Sequence, residues 1–290
     1  MQSNSVSSSF NTPLTYQKSG SGPALILVNA YGTETKLWEG VIADLESKYT
    51  VLVWELRGMD DAHKPSDDFL FNVDQHAQDL GSIMDAEGLE SAHLVAWCSG
   101  AKVVLEFQAK HPERCKSLVL ISGNFSPFGP KPDCQTEWDK NMLAATDLYQ
   151  VNPAARPFFY DAINTAIEAL MRGETEVKGG RFGLLKMVSP KYIEMLMKPM
   201  FNEVSMGNYL QMINAYYKYD ITPLLDGVEK PVCLIWSESD HISHPEQSKM
   251  VAELLANAES VVIPDSNHYM VIEKPGLIAE HIDQFAAAHN

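Results

Sequence analysis

The sequence contains no apolar run close to the roughly 20 residues that a membrane-spanning helix needs. Its opening residues are polar, with Ser3, Ser5, Ser7, Ser8 and Ser9, and carry no apolar stretch of the kind a secretory leader requires. A cytoplasmic location is therefore expected. Cysteine is scarce: Cys98, Cys115, Cys134 and Cys233 are the four in 290 residues. In a reducing compartment they are expected as free thiols rather than as two bridges. Positive charge is also in short supply, with 22 Lys and Arg against 38 Asp and Glu and a formal net charge of −16. Such a surface repels phosphate backbones and anionic lipid, so neither nucleic acid nor a membrane is expected as a partner. There is no glycine-rich phosphate loop and no dinucleotide fingerprint, and no cofactor is expected. His241, His244 and His268 lack a carboxylate or thiol at metal-binding spacing, so the expectation is of no metal.

What is present is enough apolar material for a full core: 45% of residues are hydrophobic and 21% charged, as in an ordinary globular chain. Short β-branched runs recur at Ala24–Val28, Val51–Trp54, His93–Trp97, Leu118–Ile121, Val232–Trp236 and Val261–Ile263. Near-continuous apolar strands suit a parallel sheet covered on both faces. Amphipathic segments lie between them, around Leu37–Leu45, Val73–Glu87, Ala101–His111, Glu246–Asn257 and Leu277–Ala287. This alternation predicts an α/β fold with an open, mostly parallel sheet.

The alternation fails over 124–216. That stretch opens with Pro127, Gly129, Pro130 and Pro132, then turns helical and holds eight methionines: Met142, Met171, Met187, Met195, Met197, Met200, Met206 and Met212. The reading is a flexible tail over 1–13, a core over 14–123 and 217–290, and a helical cap over 124–216. Methionines there either fill a small helical core or form an adaptable apolar wall over a pocket, and the two are compatible.

Chemistry concentrates at Ala96-Trp97-Cys98-Ser99-Gly100, between a buried strand and the helical pattern Ala101–Leu105. A sharp strand-to-helix turn needs small residues about its apex, and Ala96 and Gly100 supply them. The apex, Cys98, then stands at a helix N-terminus, where free N–H groups and the helix dipole favour a thiolate. The pattern is G-x-S-x-G with Cys for Ser and Ala for the first Gly. Two further strands end in Ser237-Glu238-Ser239-Asp240-His241 and Pro264-Asp265-Ser266-Asn267-His268. The strand-end position favours Asp240 over Asp265 as the acid. Carboxyl ends of a parallel sheet share one edge, so Cys98, Asp240 and His268 can converge as nucleophile, acid and base.

From about Leu14 to Phe285 the chain resembles the α/β-hydrolase superfamily with an inserted helical cap. The C-terminal third carries the resemblance furthest, through Lys230-Pro231-Val232, Asp240, Asn267-His268 and Glu273-Lys274-Pro275. The resemblance implies a mostly parallel α/β-hydrolase sheet with helices on both faces, and a catalytic triad of Cys98, His268 and Asp240. It also implies an oxyanion hole from the backbone N–H groups of Tyr31 and Ser99, with Val28-Asn29-Ala30-Tyr31-Gly32 where relatives carry a His-Gly pair. Glu55-Leu56-Arg57-Gly58-Met59-Asp60-Asp61 replaces the more usual Asp-x-Arg-Gly-x-Gly. Relatives with cysteine at the elbow include dienelactone hydrolases and some thioesterase domains.

The implied activity is an acyl-enzyme catalyst acting on a small or carrier-bound, hydrophobic thioester, ester or lactone, as acyltransferase or thioesterase. A plain ester or lactone hydrolase is the alternative, and a silent ligand-binding protein that keeps the fold is the rival from another class. Trp97 and Tyr31 are candidates for substrate contact, with Trp97 also readable as packing. His93 reads as a polar strand end, and Lys102 as pointing outward from the first turn of its helix.

Overall fold

The computed structural model describes residues 1–10, 13–58, 71–126, 134–172 and 192–290. Eight strands form one sheet: β1 (Gln2–Ser7), β2 (Pro13–Gly20), β3 (Ala24–Val28), β4 (Thr50–Trp54), β5 (Ala92–Trp97), β6 (Cys115–Ile121), β7 (Val232–Trp236) and β8 (Ala258–Val262). Their spatial order is β1-β2-β4-β3-β5-β6-β7-β8. β2 lies antiparallel to both β1 and β4, and the strands from β4 to β8 run parallel. Every residue of β3, β5 and β7 is buried, as unbroken apolar sequence demands of strands covered on both faces.

The helices are α1 (Glu39–Leu45), α2 (Val73–Ala86), α3 (Gly100–Lys110), α4 (Glu137–Val151), α5 (Arg156–Met171), α6 (Ile193–Leu196), α7 (Glu203–Tyr217), α8 (Thr222–Leu225), α9 (Pro245–Leu254), α10 (Met270–Glu273) and α11 (Pro275–Ala288). α1 packs on α11 and α2 on α3, while α4 to α7 fall between β6 and β7 and pack on one another. Capping side chains set the helix starts. Asn72 accepts from the Gln75 N–H at α2, and Thr136 and Asp139 form a reciprocal capping box at α4. Among the described residues no helix is long and apolar enough to cross a membrane. All four cysteines are free and buried.

Three expectations need correction. Gln2–Ser7 form β1 rather than part of a flexible tail, paired from Gln2↔Lys18 to Ser7↔Pro13. An edge strand draws on ladder hydrogen bonds rather than on apolar composition, and here only Val6 packs against the core, so the polar sequence concealed it. β8 begins at Ala258, three residues before the apolar run, because an edge strand tolerates the exposed Glu259 and Ser260. Lys102 does not point outward. Its side chain is buried, and Nζ donates to the carbonyls of Ser126, Tyr216 (2.6 Å) and Tyr219 (3.0 Å). The methionines of the 124–216 stretch are mostly core: Met142, Met197, Met200, Met206 and Met212 are buried, while Met171 is exposed. Met187, Pro127, Gly129, Pro130, Pro132 and the Met59-Asp60-Asp61 triplet lie outside the described residues.

Arg57, from the sequence that departs from the usual family motif, is buried against Asp79 on α2 with two hydrogen bonds, one from Nε at 2.8 Å. Removing one partner of a buried pair strands the other charge, which costs about 3–5 kcal/mol. Asp79→Ala is expected to lose that much in urea unfolding. Glu137→Ala, which breaks the exposed Lys140 pair, should lose under about 1 kcal/mol.

Candidate active site

β5 ends at Trp97, and the next residue, Cys98, has a φ of +53°. A non-glycine residue in that left-handed region needs fixed partners. Cys98 has them. Its N–H donates to the Ile121 carbonyl (2.9 Å), and its own carbonyl accepts from the N–H groups of Asn124 (3.1 Å) and Ala101 (3.2 Å). Gly100 permits the close approach behind the turn, because a Cβ there would lie 2.6 Å from the Val28 carbonyl oxygen and 2.7 Å from that of Asn29. The turn leaves the thiol at the start of α3, beside N–H groups with no intrahelical acceptor.

The other candidates arrive from the neighbouring strand ends. Asp240 follows β7 and His268 follows β8, and Ser237 Oγ donates to the Ser266 carbonyl (2.6 Å) to tie the two loops. His268 Nδ1 lies 2.9 Å from Asp240 Oδ2 and 3.2 Å from Oδ1, with both side chains buried. Asp240 Oδ1 also accepts the N–H groups of Ile242 and Ser243, each at 2.9 Å. The far side of the imidazole meets Cys98. Asp265 is exposed and has no part in this cluster.

Trp97 is buried behind the histidine: its Nε1 donates to the His268 carbonyl (3.1 Å), and the two rings lie 5.2 Å apart. It packs against the His268 ring and also lines the pocket. Ser99 follows Cys98 directly, and Tyr31 lines the same pocket as Cys98. The Tyr31 N–H donates to Ser99 Oγ (2.9 Å), so this donor is already engaged. Asn29 is held through Trp38 Nε1, which donates to its Oδ1 at 2.5 Å, and it shapes the loop that carries Tyr31. Gly32 (φ +79°) lets Tyr209 against that loop, since a Cβ there would meet the Tyr209 ring at 2.2 Å. His93 is a buried strand residue on Ser117 (2.8 Å), and His244 caps α9 by accepting the Glu246 N–H (3.2 Å).

A pocket of about 500 Å³, its open mouth included, lies over Cys98 and His268. Beyond Tyr31 and Trp97, its wall includes Trp138 of α4, Leu196 of α6, Tyr209 of α7, Met197, Ile242 and Tyr269. Among the Met-rich stretch only Met197 reaches this wall among the described residues. Sequence reasoning missed Ser243, whose Oγ is 3.8 Å from Cys98 Sγ, and it missed Asn124, Trp138 and Tyr209. Only Ser243 had a sequence signal, three residues past Asp240 in the same loop.

The alpha/beta hydrolase fold model matches residues 23–275. The chain belongs to the alpha/beta hydrolase fold family. It is 25% identical over 256 residues, 87% of this chain and 89% of the other, to the RutD protein of Pseudomonas savastanoi pv. phaseolicola, whose name assigns it carbamate hydrolysis. It is 21% identical over 276 residues to the 2-(acetamidomethylene)succinate hydrolase of Mesorhizobium japonicum, covering 95% and 92% of the two chains. Among solved structures, the enol-lactonase of Burkholderia xenovorans LB400 superposes with a TM-score of 0.73 at 19% identity, over 98% of this chain and 100% of that one. At the level of the family, the chain is a hydrolase of the alpha/beta fold.

Burial alone lowers the His268 pKa, but the Asp240 carboxylate and Cys98 outweigh it and raise the ring to about 10, from an ordinary value of 6.5. A raised pKa means the folded state holds its proton more tightly than the unfolded one. The stabilisation is therefore complete below about pH 6.5 and is lost as pH rises towards about 10. Asp240→Asn removes the main partner that raises the ring. Urea unfolding at pH 6, 8 and 10 should show a large gap between wild type and Asp240→Asn at pH 6 that narrows by pH 10.

Proposed function

We propose that this protein hydrolyses a small, largely apolar carboxylic ester, thioester or lactone through a covalent intermediate on Cys98. The observation that carries the reading is the convergence of Cys98, on a left-handed turn at a helix start, with a buried His268 already oriented by Asp240. Lactone and acyl-linkage names among the relatives support the substrate class, as does the apolar wall contributed by Trp138, Leu196, Met197 and Ile242.

In the first half-reaction Cys98 gives its thiol proton to His268 Nε2 and its Sγ bonds to the carbonyl carbon. The bond to the leaving oxygen or sulfur breaks, and that atom takes a proton from His268 Nε2. The negative carbonyl oxygen of the tetrahedral intermediate is held by the N–H groups of Ser99 and Tyr31, the latter released from Ser99 Oγ, a contribution of a few kcal/mol. In the second half, water attacks the thioester carbon and gives its proton to His268, and the C–S bond breaks to regenerate the sulfur nucleophile and release the acid. Asp240 keeps Nδ1 as the proton-bearing nitrogen towards the carboxylate, which leaves Nε2 for transfer. The helices between β6 and β7 act as a cap whose residues shape the acyl site.

A second reading, acyl transfer, draws on the thioester itself, which reacts readily with amines and thiols, and on the burial of Cys98 to 7% exposure. Its acceptor enters where water does in the first reading. Two results separate these routes. Incubation with a panel of activated esters, acyl thioesters and lactones is expected to add one acyl mass to the intact protein. Cys98→Ala should abolish that adduct and reduce turnover by on the order of 10⁴-fold or more. An adduct that persists in Cys98→Ala rules out this assignment. Clearance of the adduct in water alone supports hydrolysis, whereas clearance only with an added amine or thiol supports transfer.

A further inference from the structure

Resting on the reading of Cys98 as nucleophile, we infer that Ser243 is a further catalytic residue, whose hydroxyl donates to the Cys98 sulfur and holds it as a thiolate. Ser243 Oγ lies 3.8 Å from Cys98 Sγ, with the serine only 3% exposed. That hydroxyl has no other hydrogen-bond partner among the described residues. A buried hydroxyl does not go without a partner cheaply, and sulfur is the one it has. Once Sγ has lost its proton it can only accept, so the O–H must point at it.

The placement of Ser243 is not adjustable. Its backbone N–H is bound to Asp240 Oδ1 at 2.9 Å, the same carboxylate that orients His268. One acid thus fixes both groups that reach the sulfur, His268 through its side chain and Ser243 through its main chain. The sulfur lies between an imidazole and a hydroxyl, with the start of α3 behind it. A hydroxyl donor stabilises the anion far more than the thioester sulfur that follows, because hydrogen bonds to charged groups are the stronger ones. The effect of Ser243 therefore falls on formation of the nucleophile rather than on the later hydrolysis.

Other titratable groups face Cys98. They are His268 and Asp240 from the loops, Tyr31 after β3, Tyr209 from α7, Tyr269 after β8, and Lys102 from α3. The phenols are pushed up by burial and stay neutral across the working range. Lys102 is drawn down by burial to about 7 and titrates within it, yet it is the same in wild type and in every Ser243 variant. A comparison of those proteins isolates the hydroxyl.

The experiment is iodoacetamide alkylation of Cys98 from pH 5 to pH 10, read by intact mass, with Cys98→Ala as the blank and thiolate absorbance near 240 nm as the second readout. Ser243→Ala is expected to move the midpoint of the rate profile up by about one pH unit and to slow alkylation at neutral pH about tenfold. Ser243→Thr, which keeps the hydroxyl, should restore the wild-type profile. An unchanged midpoint in Ser243→Ala overturns the proposal, as does a rate reduced equally at every pH, which marks a displaced sulfur rather than a lost donor. If wild-type Cys98 itself alkylates no faster than a free thiol peptide, the nucleophile reading fails instead, and the two failures are distinct.

Discussion

The left-handed backbone of Cys98 is the constraint from which the rest of the site follows. A non-glycine residue in that conformation costs on the order of 1–3 kcal/mol, and surrounding structure must hold it there. Here the holding groups come from three places. Ile121 at the end of β6 accepts its N–H, Asn124 just beyond binds its carbonyl, and the bare Gly100 lets α3 close against the carbonyls of β3 and its loop. None of these contacts touches the sulfur. They fix where the sulfur is, and relaxing the turn would swing the thiol away from His268 without altering Cys98, His268 or Asp240.

Asp240 is the electrostatic counterpart of that mechanical constraint. A buried carboxylate is expensive unless its oxygens are bonded, and this one takes His268 Nδ1 and two backbone N–H groups. The two main-chain donors are consecutive, so the loop after β7 wraps around the acid it carries. The carboxylate is thus fully bonded out of water, and it favours the charged form of His268. Trp97 closes the arrangement by holding the His268 carbonyl, which links the residue before Cys98 to His268. The residues at positions 97 and 98 thus both meet one imidazole.

The sequence made these centres readable because backbone requirements and strand order are local or simply ordered. Small residues at 96 and 100, a thiol between them, and acid then histidine after successive apolar runs all follow from strand ends that share one edge. What stayed hidden depends on pairing or on through-space approach. β1 was hidden because ladder bonds, not apolar side chains, hold it. Lys102 looked exposed because a lysine on a first helical turn normally is, and only tertiary structure brings the carbonyls of Ser126, Tyr216 and Tyr219 to it. Ser243 had only its place three residues past Asp240 as a signal, since a serine in a polar loop is ordinary until a thiol is placed against it. Arg57, which the altered motif retains, was visible, but its buried partner Asp79 on α2 was not.

The helices between β6 and β7 are joined to Cys98 by the same polar groups that fold them. Asn124 binds the Cys98 carbonyl through its backbone, while its side-chain amide donates to Asp139 (3.1 Å) on α4. Asp139 in turn accepts from Tyr217 of α7 and from the backbone and hydroxyl of Thr136. Trp138, next to that carboxylate, is part of the pocket wall, and Lys102 on the nucleophile's own helix binds carbonyls on both sides of the insertion. These are buried, bonded polar groups, and breaking any one leaves another unsatisfied. The wall of the pocket is therefore registered to the cysteine by hydrogen bonds rather than by apolar contact alone. The shape of the pocket and the position of the sulfur are set together, and a substitution at Asn124 or Asp139 would disturb both while leaving Cys98, His268 and Asp240 in the sequence.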